Sequence, residues 1–60
     1  MKIGQVITFL GLDGTQLQGT VWSQGPAGDR GTWWLTRAPA RFVLVKWSRQ
    51  HGTWVERQQS

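Results

Sequence analysis

Turn-forming residues break this chain at short intervals, and nothing between the breaks has the period of a helix. The breaks are Asp13-Gly14, the run from Gly25 to Gly31, Pro39 and Gly52. Asp-Gly favours the tight turns that join antiparallel strands, and proline cannot donate to a strand ladder. The segments between are short and rich in β-branched and aromatic residues, which is the composition of strands. Gln16 to Ser23 shows the pattern most clearly. Leu17, Gly19 and Val21 share one face, while Gln18, Thr20 and Trp22, with Gln24 beyond, share the other. Gly19 in the interior of that strand predicts a bulge or a sharp bend.

Five strands are expected on this basis. The first runs from Ile3 to Leu10 and ends at Gly11-Leu12-Asp13-Gly14; the second is Gln16 to Ser23. Gln24 to Gly31 makes the longest and most mobile loop. The third strand is Thr32 to Thr36, followed by a turn over Arg37-Ala38-Pro39-Ala40. The fourth, Arg41 to Arg49, contains Phe42-Val43-Leu44-Val45, apolar on both faces and so expected to be covered on both. Gln50-His51-Gly52 connects to a fifth strand, Thr53 to Arg57. The chain is all-β and one domain, 1–57, with a polar tail, 58–60, that frays.

Sixty residues cannot form two large sheets, so one sheet must bend until it buries its own inner face. The expected architecture is a single five-stranded, strongly bent antiparallel sheet closing into a barrel. Ile7, Phe9, Leu17, Val21, Trp33, Leu35, Val43, Val45 and Val55 would fill it. With its Gly4-Gln5-Val6-Ile7 opening, Gly19-Thr20-Val21-Trp22 strand, tight last hairpin and Gly52-Thr53-Trp54-Val55 end, the chain resembles the SH3-like small barrels. The layout is similar to that of KOW- and Tudor-type modules over nearly the whole length. The resemblance implies a binding module, either for nucleic acid or for a peptide held in an aromatic groove.

A chain this short buries only about 60% of its unfolded surface. It has no cysteine, so disulfides and thiolate metal sites are excluded. His51 is the single histidine and Asp13, Asp29 and Glu56 are far apart, so no metal or cofactor is expected. Five tryptophans then carry much of the packing, and some of them stand where a strand faces water. Trp22 lies among polar neighbours, and Trp34 shares a face with Thr32 and Thr36. Trp33 beside Leu35 points inward, and Trp47, between Val45 and Arg49, is expected to complete the core edge. Trp54 either joins the outer pair or turns inward. Buried aromatic area dominates interface energetics, so large indoles on polar faces mark a contact surface.

Lys2, Arg30, Arg37, Arg41, Lys46, Arg49 and Arg57 against three acids give a net charge of +4. That balance points to an anionic partner, most simply nucleic acid. The expected site is Trp22, Trp34 and Trp54 for stacking, with Arg30, Arg37, Arg41, Lys46 and Arg49 for phosphates. DNA is preferred to RNA, and a regulatory role fits so small a module. The alternatives are an adaptor binding a peptide, or a module that associates with copies of itself.

Catalysis is not expected. His51 sits in a turn with no partner placed by sequence. The Gly25–Gly31 loop lacks the Lys-Ser/Thr of a phosphate-binding loop and precedes no helix. Small barrels that assemble into plasmid-borne trimethoprim-resistant dihydrofolate reductases carry a Val-Gln-Ile-Tyr run; the nearest text here is Val43-Leu44-Val45-Lys46-Trp47. No apolar run reaches the length of about 18 residues that a membrane helix needs. The Met1–Gln5 opening has no apolar core, so a cytoplasmic protein without a secretory signal is expected.

Overall fold

The computed structural model describes residues 1–28 and 30–58; Asp29 of the long loop and Gln59 and Ser60 of the expected tail lie outside the described residues. Five strands form: β1 (Val6–Leu10), β2 (Gln16–Gln24), β3 (Thr32–Arg37), β4 (Arg41–Ser48) and β5 (Thr53–Glu56). They follow chain order around a closed barrel. Among the described residues there is no helix long and apolar enough to cross a membrane.

The sheet is mixed rather than purely antiparallel. β1–β2, β2–β3, β3–β4 and β4–β5 are antiparallel, but β1 and β5 pair in parallel. The reason is topological. In an up-and-down chain with an odd number of strands, the first and last point the same way, so the seam between them must be parallel.

Local chemistry turns the chain between strands where the sequence suggests, and strand ends fall within one residue of those expected except at the start of β1. Gly14 takes φ 84° after Asp13, whose Oδ1 accepts the Thr15 N–H at 2.9 Å. Gly52, at φ 65°, closes the last hairpin. There the Ser48 hydroxyl accepts the His51 N–H at 3.2 Å and sits 2.8 Å from His51 Nδ1. Pro39 follows a cis Ala38–Pro39 bond in the β3–β4 turn. β1 begins at Val6 and not at Ile3, because the chain before it bends at Gly4 (φ 92°). Its backbone still holds β2: Gly4 N–H donates to the Val21 carbonyl at 2.8 Å, and Val21 N–H to that of Gln5 at 2.9 Å.

Phe9, Val21, Leu35, Val43 and Val45 form the buried core, with Ile7, Leu17, Trp33 and Trp54 packed against it. One expected member is exchanged. Trp54 takes the inner place and Val55 does not belong to the cluster. The parallel seam decides this, since it sets Trp54 opposite Phe9 and Val55 opposite Leu10. Phe9 points into the core, so its neighbour across the seam does too.

The bulge is also elsewhere. Val21 pairs with Leu35 and Ser23 with Trp34, so Trp22 is the extra residue of β2. Beyond it the alternation shifts: Gln24 lies opposite Trp33 and no longer shares the register of Gln18 and Thr20. Gly19 serves close approach instead. A Cβ there would meet the Leu35 Cβ at 3.1 Å and the Thr36 carbonyl at 3.2 Å.

Candidate functional site

Along β3, Trp34 and Thr36 alternate with core-facing Trp33 and Leu35, so they occupy the outer surface of the barrel, whereas Thr32 on the same face is buried. Register extends that surface sideways. Thr36 lies between Thr20 of β2 and Phe42 of β4, and Thr20 in turn lies beside Val6 of β1. One residue pair further along, Trp34 lies between Ser23 and Leu44. Leu44 is buried, at 7% exposure, although its neighbours Val43 and Val45 take the inner side. β4 is thus covered on both sides at Leu44, as its apolar run suggests, but not at Phe42.

Trp22 and Phe42 are 53% and 56% exposed. Both strands flank β3, so their backbones stand about 10 Å apart. The ring centroids are only 5.0 Å apart, tilted by 58°. The two side chains therefore lean together across the middle strand. The bulge makes this possible, because an extra residue bends its strand and re-aims a side chain. With half-buried Trp34, the two rings line a hollow of about 170 Å³ whose walls are entirely aromatic.

A second hollow, of about 360 Å³, adjoins it and shares Phe42. Thr20, Thr36 and the Arg37–Arg41 turn make its other walls. Arg37 Nε donates to the Gln18 carbonyl at 2.9 Å, which anchors the guanidinium over β2. Arginine carries several donors in a planar fork, so one backbone contact positions the group without exhausting it. Arg41 is exposed where β4 begins. Cationic and aromatic groups thus meet at Phe42.

The eight residues expected at the site fall into separate places. Trp22, Trp34, Arg37 and Arg41 come together. Trp54 does not join them, because it packs on the core. Its ring instead meets Trp47 edge-on, with centroids 5.4 Å apart and planes at 78°. Trp47 is 49% exposed and does not complete the core edge as expected: it follows Val45 along β4 and stands at the rim of the barrel. Arg49 is exposed just beyond that rim. Arg30 lines a hollow at the β2–β3 loop with Gln24, Pro26 and Trp33, at the end of β3 opposite to Arg37. Lys46 is half-buried, opposite Thr32 and Val55.

Sequence reasoning missed Phe42. The signal was present, since Phe42 alternates with core residue Val43 and follows exposed Arg41. Its role depends on the residue two strands away, which no local pattern shows.

Among the described residues no three His, Asp or Glu side chains gather where a metal ion would be held. His51 and Ser48 hydrogen-bond to one another within their own turn, an arrangement that orders the hairpin. In the β1–β2 turn, the N–H of Thr15 holds the Asp13 carboxyl below its ordinary value, assisted by the Thr15 hydroxyl. Compared with protein-family models, curated proteins and solved structures, the chain gives no match.

Proposed function

We propose that this chain is a small nucleic-acid-binding module that uses the outer face of β2, β3 and β4. The observation that carries the reading is the shared wall at Phe42: an aromatic hollow on one side, a turn bearing Arg37 and Arg41 on the other. Stacking on exposed rings and attraction of phosphates to arginine are complementary halves of sequence-tolerant nucleic-acid binding. The net charge of +4 acts in the same direction at longer range. DNA is the partner proposed ahead of RNA, since the aromatic hollow has no polar group with which to recognise a 2′-hydroxyl. Likeness to the SH3-like, KOW- and Tudor-type barrels, a regulatory role and a cytoplasmic setting belong to the same reading. The closed five-stranded barrel supports the first of these.

One observation favours a second reading. Val6 is 61% exposed and shares a row with Thr20, Thr36 and Phe42, so the outer face continues as uncharged surface onto β1. That extension suits a peptide or another copy of the chain better than a phosphate backbone.

Salt separates the two. Titrating the chain with mixed-sequence DNA and following tryptophan fluorescence should show binding at ~50 mM salt that weakens as salt rises, a consequence of counterion release. Arg41→Gln should weaken binding and flatten that dependence. Absence of binding to both single- and double-stranded DNA at low salt removes the nucleic-acid reading.

A further inference from the structure

Resting on that reading, we infer that the aromatic hollow takes one unpaired base of a single DNA strand, and that the module discriminates against duplex. The walls decide this. The hollow, about 170 Å³ and open to solvent, has the room of roughly six water molecules in the liquid, enough for one heterocycle to lie against its rings. Trp22 and Phe42 lean towards each other from β2 and β4, with Trp34 between them on β3. They bound a recess and do not project as a wedge that enters a groove.

The recess offers ring surface alone, with no polar atom in its lining. It contains no acceptor that reads a Watson–Crick edge, so occupancy depends on stacking and tolerates any base. A base inside a duplex has both faces covered by its neighbours and must be flipped out first.

Charge selects among flat or apolar occupants. An aromatic recess of this size also suits an alkylated ammonium group, but Arg37 and Arg41 border it through Phe42 and oppose a cation. They favour an occupant that carries its negative charge one bond system away from its ring, as a nucleotide does. The recess and the arginine-bearing turn share a wall, so base and flanking phosphates are held together and the footprint is short. With two arginines at the turn, the slope of log affinity against log salt should be about −1.4 for a single strand.

The test uses the full chain with fluorescently labelled oligothymidylates and a blunt hairpin duplex, read by anisotropy and by tryptophan quenching. Tetra- and octathymidylate should bind with closely similar affinity per site and quench tryptophan. The duplex should bind about tenfold or more weakly, reflecting the cost of flipping a base. Trp22→Ala should reduce oligothymidylate binding by about 5- to 150-fold, whereas Trp22→Phe keeps a ring and should restore much of it. Circular dichroism establishes that each variant is folded, and Phe42→Ala provides an independent removal of a wall.

Duplex binding equal to or tighter than single-strand binding overturns this inference and leaves the nucleic-acid reading standing. Binding of neither DNA overturns both. In that event, sedimentation of a dimer that Trp22→Ala dissociates assigns the face to a second copy of the chain.

Discussion

Two ring pairs in this barrel look alike in isolation. Trp22 and Phe42 have centroids 5.0 Å apart, Trp47 and Trp54 5.4 Å. In both, one ring belongs to β4. Yet the first pair bridges three strands on the outer face, with both rings about half exposed, while in the second Trp54 is packed on the core. A ring contact by itself therefore says little about purpose. What differs is the side of the sheet, and that is set by strand register. In a chain with no disulfide, the inner pair supplies stability that a small core lacks, whereas the outer pair leaves a surface available for a partner.

The comparison breaks if the two pairs contribute equally to stability. Trp54→Ala removes core packing as well as the support of Trp47, and should lower unfolding free energy by about 3 kcal/mol, the lower end for aromatic truncation. A domain of this size is held by only about 3–9 kcal/mol, so the urea midpoint should fall sharply. Trp22→Ala should change it by less than about 1 kcal/mol, as exposed positions do. Equal losses in the two variants would mean that the outer rings are structural and would undercut the proposed site.

A smaller effect sharpens the comparison from beneath the outer pair. Gly19→Ala places a methyl against Leu35 and the Thr36 carbonyl, between the strands that carry Trp22 and Trp34. The Leu35 side is buried and the carbonyl is backbone, so neither yields easily. A destabilisation of about 1–2 kcal/mol is expected. If the urea midpoint is unchanged, β3 can move away from β2, and the geometry of the outer face is softer than argued.

The smallest effect is at Asp13, remote from both pairs and useful as a reference. The Thr15 N–H holds its carboxyl below the ordinary value. The carboxylate therefore adds stability above the ordinary carboxylate range, and that contribution disappears as pH falls through the lowered value. Asp13→Asn keeps an acceptor oxygen but loses the charge, so its stability should decline slightly less between neutral and acid pH than the parent's. A steeper acid decline in the variant would contradict the assignment.

Much of the architecture is legible before any coordinates. Turns at Asp13-Gly14, Pro39 and Gly52, alternation in β2 and the apolar run of β4 depend on neighbours along the chain. The same local rule places Trp33 on the core side and Trp34 outside. It fails at Trp47, where the inward alternation is right but the ring meets only the edge of Trp54 and stays half exposed. It fails for Phe42 too, since a ring on one strand acquires its meaning from Trp22, two strands away. It has no means of placing the bulge, because an extra residue is defined only against a partner strand.

The sequence by itself therefore determined that the chain is all-β, where its strands run, and which residues of β1 to β4 form the core. Those features follow from the two-residue period of a strand and from the conformations open to glycine and proline, which are local properties. The tertiary structure alone decided that the seam is parallel, that Trp54 faces in, and that Trp22 bulges out to meet Phe42. Each of these is a relation between segments distant in sequence, set by how the barrel closes and not by the residues on either side.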